Sequence, residues 1–230
     1  DFQITHKDGN ARRAKLNTKN GVINTPAFMP VGTAATVKAV FTKDLYETNS
    51  EIILGNTYHL MLRPGSAQIK EFGGLHKFMN WKGPILTDSG GFQIFSLGHG
   101  SVADEIKGRN FNTKRNKSLL QISEEGALFK SYIDGSKKLL TPERSIFIRK
   151  QIGADFILVF DECTPYHVNK DYTVSSMERS HRWSERSLDA FNNDIEFQPQ
   201  FGSAGKQALY GIIQGGIYED LRKISIEFNL

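Results

Sequence analysis

The sequence has little cysteine and no long apolar run. Cys163 is the only cysteine among 230 residues, so a disulfide within the chain and a cysteine-rich zinc site are both excluded. No apolar run approaches the roughly 20 residues of a membrane-spanning helix, and the amino-terminal residues lack the apolar core of a signal peptide. We therefore expect a protein of a reducing compartment, the cytoplasm, with no membrane partner.

Motifs for nucleotide cofactors and metals are missing as well. A dinucleotide-binding fold requires G-x-G-x-x-G after its first strand, and the sequence has none. Residues 202–207, GSAGKQ, imitate a phosphate-binding loop, but Gln207 replaces the Ser or Thr that should follow the lysine. The six histidines show neither H-x-H nor H-E-x-x-H spacing. We expect no metal and no cofactor within this chain.

The residues that are present suit one globular domain over residues 1–230. Hydrophobic residues make up 39% of the chain and charged residues 23%, which at this length allows a sizeable core. The formal net charge of +4 is a mild basic excess. Such an excess is compatible with a nucleic-acid partner but does not establish one.

An antiparallel sheet is predicted over residues 1–25. Phe2 and Ile4 alternate with polar neighbours, and the Asp-Gly pair at residues 8–9 and the Asn-Gly pair at residues 20–21 favour hairpin turns. After Pro26 the pattern changes to short apolar segments that end in glycine or polar residues and alternate with helical stretches. This alternation predicts a parallel sheet covered by helices.

The predicted parallel strands carry polar groups at their carboxyl ends. They cover residues 28–31, 52–54, 85–86, 156–160 and 209–213. A (β/α)₈ TIM barrel, an α/β fold, builds its site from such strand ends. Fewer than eight strands are predicted, so we expect a barrel that is incomplete at the C-terminus.

Two later helices have readable signals. Thr141, Pro142 and Glu143 are typical of a helix start, and Gly153 of a helix end. A second helix is predicted from residues that recur every three or four positions and give one partly apolar face. These residues are Val174, Met177, His181, Ser184, Leu188 and Phe191.

Residues 98–123 form a basic insertion in this pattern. The segment holds five basic and two acidic residues, a net charge of +3. The basic residues are Lys107, Arg109, Lys114, Arg115 and Lys117. Two interpretations stay open, a solvated loop and a surface that contacts RNA.

Three of the strand-end residues form a chemically unusual set. Asp88, Asp161 and Gln214 would converge in a barrel, and Asp161 with Gln214 suits the edge of guanine, which offers N–H donors at N1 and N2 and an acceptor at O6. Phe92 or Tyr166 could stack on the face of such a base. Taken singly, each polar residue also fits a plain turn, helix cap or solvated loop.

Four strings, in this order, resemble the tRNA-guanine transglycosylase family, in particular the bacterial queuine tRNA-ribosyltransferases. The strings are GNTYHLMLRPG at residues 55–65, LTDSGGFQIFSL at residues 86–97, FDECTPY at residues 160–166 and GIIQGG at residues 211–216. The resemblance implies a TIM-barrel transferase that acts on tRNA with a GUN anticodon. It implies exchange of the wobble guanine for the base 7-aminomethyl-7-deazaguanine in queuosine biosynthesis, and it is compatible with a homodimer of the whole enzyme.

The resemblance also implies roles for single residues. Asp88 is similar to the family's general acid/base, and the neighbouring residues Ser89, Gly90, Gly91 and Phe92 would line the base pocket with it. These glycines would let the backbone approach a flat ring closely.

Three further positions match the family. Asp161 is similar to the aspartate that grips the guanine edge, Gln214 to the glutamine that assists it, and Asn56 to an asparagine beside the reacting ribose. The implied mechanism is a double displacement through a covalent ribosyl-enzyme, with the base unstacked into the pocket.

The family's nucleophilic aspartate and its Cys/Cys/Cys/His zinc site are expected beyond Leu230. Zinc is therefore expected in the whole enzyme, and residues 1–230 alone are expected to be inactive. Two alternatives remain, a non-catalytic tRNA-binding subunit of the same family and a barrel enzyme that acts on a small molecule.

Overall fold

The computed structural model describes residues 1–99, 118–193 and 207–230 and shows a mixed α/β chain. The strands in these residues are β1 (Phe2–Asp8), β2 (Ala11–Thr18), β3 (Gly21–Thr25), β4 (Val31–Gly32), β5 (Ile53–Gly55), β6 (Ile85–Thr87), β7 (Leu119–Ile122), β8 (Ala127–Lys130), β9 (Lys137–Leu140), β10 (Phe156–Leu158) and β11 (Ala208–Tyr210). The helices are α1 (Thr42–Glu47), α2 (Thr57–Leu62), α3 (Ser66–Glu71), α4 (Leu75–Met79), α5 (Gly91–His99), α6 (Pro142–Ile152), α7 (Lys170–Asn193) and α8 (Glu219–Asn229).

Strands β1, β2 and β3 form the antiparallel sheet predicted at the amino terminus. The pairing leaves hairpin loops at residues 9–10 and 19–20, each one residue away from the predicted turns at residues 8–9 and 20–21. Gly9 has φ 53°, a left-handed conformation that glycine adopts at little cost and that tight hairpin loops require.

A second sheet has the strand order β11-β10-β6-β5-β4. The pairs β4–β5, β5–β6 and β6–β10 are parallel, as the alternation of strands and helices predicts. Within the described residues this sheet has five strands and does not close into a barrel. The mixed α/β class is therefore confirmed, while the barrel stays a prediction.

Strands β7, β8 and β9 form a third, antiparallel sheet. Strand β7 belongs to the carboxyl end of the predicted basic insertion at residues 98–123, so this end is regular structure rather than loop. The basic residues of the insertion lie outside the described residues, and their role stays a prediction. These are Lys107, Arg109, Lys114, Arg115 and Lys117.

The chain divides into two compact units. The first unit comprises Asp1–Asp88, Ile148–Ile157 and Asp194–Leu209. The second unit comprises Ser89–Phe147, Leu158–Asn193 and Tyr210–Leu230.

In the first unit the amino-terminal sheet packs on residues at the amino ends of the parallel strands. Ile23 of β3 is buried against Ile52, which precedes β5, and against Phe156, the first residue of β10. A polar contact joins the same parts, because Asn24 donates from its backbone N and its side chain to the carboxylate of Glu51, at 2.5 and 2.6 Å. The amino-terminal sheet therefore contacts the parallel sheet at the amino ends of β5 and β10.

The second unit contains the 24-residue helix α7, and its buried face differs from the predicted one. The buried residues are Thr173, Ser176, Met177, Ser180, Trp183 and Ser187. Of the predicted apolar face only Met177 is in this set, and Leu188 is 49% exposed. The predicted helix is confirmed, and most of the predicted face is partly buried, since Val174, His181, Ser184 and Phe191 are half-buried. Hydropathy counts serine as a surface residue, so it missed the serines that are buried by hydrogen bonding to other parts of the unit.

Among the described residues, no helix combines the length and the apolar character needed to cross a membrane.

Candidate functional site

Asp88 lies directly after β6, and Asn56 directly after the neighbouring strand β5. The two strands are parallel, and the register places Gly55 beside Thr87, so the next residue of each strand emerges at the same edge of the sheet. Asn56 is also the residue before the first turn of α2. The structure thus brings Asn56 and Asp88 together within the first unit. Their roles beside a reacting ribose and base stay predictions.

Both carboxylate oxygens of Asp88 accept hydrogen bonds. The Asn56 side-chain amide donates to Oδ2 at 2.7 Å, and the backbone N–H of Thr57 donates to Oδ1 at 2.7 Å. The Thr57 hydroxyl donates to the backbone carbonyl of Asp88 at 2.6 Å. Thr57 is fully buried and Asn56 is 7% exposed, so the carboxylate is held by donors that water reaches poorly. Each of its oxygens faces an N–H, so the orientation of the carboxyl group is fixed.

His59, two residues further along α2, is electrostatically coupled to this group. Burial lowers the pKa of His59 below its usual value, and the charge of Asp88 opposes that shift. The net direction favours the neutral imidazole near pH 7. The His59 side chain is therefore an uncharged neighbour of Asp88 near neutral pH.

Asp161 is the centre of a second polar cluster, which lies in the second unit. The Ser89 hydroxyl donates to Oδ1 of Asp161 at 2.9 Å, and the Gln214 side-chain amide donates to Oδ2 at 2.9 Å. Ser89 is 4% and Gln214 is 9% exposed. The predicted partnership of Asp161 with Gln214 is thus present in the structure, together with a serine from the glycine-containing turn.

The glycines beside this cluster are required by close approach and by backbone conformation. A methyl group at Gly91 would lie 2.6 Å from the backbone carbonyl oxygen of Asp161, which no real side chain tolerates. Gly91 also donates its backbone N–H to the Ser89 hydroxyl at 3.1 Å. Gly90 has φ 83° and Gly215 has φ 110°, conformations that residues with a side chain rarely adopt.

The aromatic residues proposed for stacking are accessible in the second unit. Phe92, in the first turn of α5, is 48% exposed, and Tyr166 is 74% exposed. Neither is packed into a core. Their role as stacking platforms stays a prediction, because exposure permits contact with a base without demonstrating it.

Some contacts of the two clusters escape sequence reasoning. Thr57 holds Asp88 through its backbone N–H and hydroxyl, and Ser145 of α6 donates its hydroxyl to the Ser89 carbonyl at 2.8 Å. A backbone N–H exists at nearly every residue, so it carries no sequence signal. The only sequence feature that pointed to Thr57 was its position in the string at residues 55–65.

The residues present do not fit the zinc site that the family resemblance implies. The chain has one cysteine, half-buried Cys163, whereas the implied site needs three together with a histidine. Within the ranges that the structure describes, no group of three or more His, Cys, Asp or Glu side chains is placed to hold a metal ion.

Comparison with known proteins gives a consistent result. A family model described as queuine tRNA-ribosyltransferase matches residues 7–229. A queuine tRNA-ribosyltransferase of Roseiflexus sp. (strain RS-1) is 48% identical over 229 residues, which cover 99% of this chain and 57% of that protein. One of Zymomonas mobilis subsp. mobilis is 49% identical over 226 residues, covering 98% of this chain and 52% of that protein.

A third relative, from Natranaerobius thermophilus, is 50% identical over 224 residues, which cover 97% of this chain and 53% of that protein. The chain thus spans a little over half the length of the curated relatives it matches. Since the match extends over nearly the whole chain at close to half identity, the resemblance seen in the four sequence strings is confirmed. The chain belongs to the queuine tRNA-ribosyltransferase family.

Proposed function

We propose that this chain carries the base-recognition part of a tRNA-guanine transglycosylase, an enzyme that exchanges the wobble guanine of tRNA. The observation that carries the proposal is the Asp161 carboxylate, which is held on both oxygens by buried Ser89 and Gln214. The relatives bear the name queuine tRNA-ribosyltransferase, which supports a tRNA substrate for this chain.

Asp161 would recognise the base edge through its two acceptor oxygens. Guanine presents N1–H and N2–H side by side, and a carboxylate can accept from both. The Gln214 amide, 2.9 Å from Oδ2 of Asp161, would then donate to the base oxygen O6. A 7-deazaguanine presents the same edge, so the same residues would receive both the departing and the entering base.

Asp88 would handle the proton of the base that leaves. In a retaining exchange a carboxylate attacks the anomeric carbon, and the glycosidic bond breaks with its electron pair passing to the base. Asp88 would serve as the acid for the leaving base and then as the base that takes a proton from the entering one. No residue of this chain is assigned as the nucleophilic carboxylate.

The finer features of the proposal rest on the family. They are a TIM-barrel fold for the whole protein, a tRNA with a GUN anticodon, entry of 7-aminomethyl-7-deazaguanine and a role in queuosine biosynthesis. The five-stranded, largely parallel sheet supports the fold proposal, because a barrel of this type is built from such strands. The buried amide–carboxylate pair supports a base as the substrate.

The proposal is tested by Asp161→Ala and Asp88→Asn in the whole protein. We expect Asp161→Ala to weaken guanine binding by at least tenfold, because two N–H donors of the base lose a charged acceptor. We expect Asp88→Asn to retain tRNA binding and to lower exchange by roughly 10²–10⁴-fold, the usual worth of general acid–base catalysis.

Calorimetry with guanine and incorporation of labelled guanine into tRNA measure the two effects. Asp189→Ala, which removes an exposed aspartate of α7, is the matched control and should behave as the unchanged protein. Guanine affinity that is equal in Asp161→Ala and Asp189→Ala would contradict the proposed base site.

A further inference from the structure

Helix α7 contacts alternate residues of the segment that carries Asp161, at positions 160, 162 and 164. The Ser187 hydroxyl accepts from the backbone N–H of Phe160 at 3.2 Å, and the Ser180 hydroxyl accepts from the backbone N–H of Glu162 at 3.1 Å. The Ser176 hydroxyl lies 2.7 Å from the hydroxyl of Thr164, two residues further on.

The spacing on the helix explains why these contacts form a row. Positions 176, 180 and 187 differ by four and seven residues, so their side chains share one helix face. Ser176, Ser180 and Ser187 are each at most 3% exposed. Each buried hydroxyl has a partner in residues 160–164, and no apolar side chain would offer that segment the same hydrogen bonds.

The side chain of Glu162 adds a second attachment to the same helix. Glu162 is 1% exposed, and a buried carboxylate is tolerated only when it is well paired. Its Oε1 accepts from the Tyr172 hydroxyl at 2.5 Å, and its Oε2 pairs with the Arg179 guanidinium. Arg179 in turn lies 3.4 Å from the carboxylate of Glu124.

The Tyr172 hydroxyl keeps its proton over the whole physiological range. Burial and the hydrogen bond to Glu162 raise the pKa of Tyr172 to about 12. The hydroxyl therefore stays a proton donor to Glu162 near neutral pH.

These contacts fix the peptide unit between Asp161 and Glu162. In a trans peptide the N–H and the C=O point in opposite directions. Because the Glu162 N–H points to Ser180 on α7, the Asp161 carbonyl points the other way. That carbonyl is the atom 2.6 Å from the position of a methyl group at Gly91, so it faces the turn that supplies Ser89. The Asp161 carboxylate accepts hydrogen bonds from Ser89 and Gln214. Its backbone is held in orientation by the contacts with α7.

We infer that α7 positions Asp161 for the base through Ser180 and through the Tyr172–Glu162–Arg179 group. This inference rests on the proposed function of Asp161 and adds to it the residues that orient it. Ser180, Tyr172 and Glu162 act through Asp161 and do not touch the base themselves. A base gripped by two N–H donors needs its acceptor in one orientation, so a small rotation of the peptide unit weakens recognition of the base and leaves recognition of tRNA unchanged.

Ser180→Ala and Tyr172→Phe test this inference in the whole protein. Each removes one hydroxyl and adds no volume, so the fold has little cause to change. Ser175→Ala is the matched control, since the Ser175 hydroxyl binds the Asp171 carbonyl at 3.1 Å on the exposed face of the same helix. We expect the KM for guanine to rise roughly three- to tenfold in both test variants, the factor that one hydrogen bond is worth. The KM for tRNA and all constants of Ser175→Ala should stay unchanged.

A double-mutant cycle separates positioning from a general loss of structure. Ser180→Ala and Tyr172→Phe should cause no further rise in the guanine KM when Asp161 is already alanine, because their effect passes through that carboxylate. A rise of equal size in the Asp161→Ala background would overturn the inference. So would guanine KM values in both test variants that equal those of Ser175→Ala.

The result also distinguishes this inference from the proposed function. If Asp161→Ala raises the guanine KM while both test variants match the control, the base site stands and the positioning role of α7 is wrong. If Asp161→Ala itself leaves the guanine KM unchanged, the base site and its positioning are both overturned. Should Ser180→Ala unfold in a thermal scan, Tyr172→Phe decides alone, because its side chain is 36% exposed and its ring is retained.

Discussion

At the scale of single residues, both assigned carboxylates are held by neutral donors on both oxygens. Asp88 receives the Asn56 amide and the Thr57 N–H, and Asp161 receives the Ser89 hydroxyl and the Gln214 amide. Hydrogen bonds to both oxygens fix the orientation of each carboxyl group, which proton transfer and recognition of a base edge both require.

Gly91 gives a prediction at the same scale. In Gly91→Ala the added methyl group would meet the Asp161 carbonyl at 2.6 Å, so either α5 or residues 160–164 must move. Overpacking of this kind costs about 1–3 kcal/mol of unfolding free energy. We expect guanine affinity to fall at least tenfold, because the displaced carbonyl belongs to Asp161, the residue proposed to bind the base edge. Isothermal titration with guanine and urea unfolding measure the two effects.

The control for this prediction is Ser96→Ala in the same helix. Ser96 is half-buried, and its hydroxyl makes only a long, 3.4 Å contact to the Gln93 carbonyl. It should leave guanine affinity unchanged. If Gly91→Ala binds guanine as tightly as Ser96→Ala does, the close approach at Asp161 has no functional consequence.

At the scale of elements, the contacts that bury polar groups were the hardest to predict. Asp88, Asp161 and Gln214 could be selected as candidates because each follows a predicted apolar strand within a recognisable string. The buried face of α7 could not, because Ser176, Ser180 and Ser187 are polar by any hydropathy measure. Their burial depends on the N–H groups of residues 160–164, which lie close only after folding. Periodicity reports apolar faces and is blind to a face buried by hydrogen bonds.

The contact between the amino-terminal sheet and the parallel sheet was equally hard to predict, because it also depends on a buried polar group. Asp155, which precedes β10, is 6% exposed. Its Oδ1 accepts from the Asn20 amide at 2.7 Å, and its Oδ2 accepts from the Ile85 backbone N–H at 2.8 Å. Oδ2 also lies 3.0 Å from Nε2 of His76. One carboxylate thus connects a hairpin loop, the start of β6 and helix α4.

Asp155→Asn is therefore expected to destabilise the protein. The asparagine amide has one acceptor oxygen, so its NH₂ group must face either the Ile85 N–H or the Asn20 side chain, which would have to turn its own amide. Either arrangement loses a hydrogen bond of the buried network, which costs about 1–3 kcal/mol of unfolding free energy. Urea or thermal unfolding of the whole protein measures the change.

Asp8→Asn, in an exposed position at the end of β1, is the control and should unfold as the unchanged protein. Equal stability of the two variants would show that the Asp155 network contributes nothing.

At the scale of the whole molecule, charge is unevenly spread along the chain. The net charge is +4, and residues 98–123 alone carry five basic and two acidic residues. A second group of five basic residues lies exposed on or beside the amino-terminal hairpins. These are Lys7, Arg12, Arg13, Lys15 and Lys19. The two groups allow a local contribution to tRNA binding to be separated from the effect of net charge.

We predict that neutralising the insertion lowers tRNA affinity and flattens its salt dependence. Each Lys or Arg that neutralises a phosphate releases counterions, so the slope of log affinity against log salt counts these interactions. Replacing all five basic residues of the insertion with glutamine should reduce the magnitude of the slope by about 1 for each phosphate interaction that the substitutions remove. The residues replaced are Lys107, Arg109, Lys114, Arg115 and Lys117.

The control replaces the five basic residues of the hairpins with glutamine, a variant of identical net charge. Long-range attraction depends on total charge and is screened within about 10 Å at 0.1 M salt, so both variants would lose that part equally. A slope that changes only in the insertion variant indicates direct phosphate binding by residues 98–123. Equal changes in both variants would assign the effect to net charge. An unchanged slope in the insertion variant would establish the solvated-loop interpretation, because a segment that meets no phosphate releases no counterions when its charges are removed.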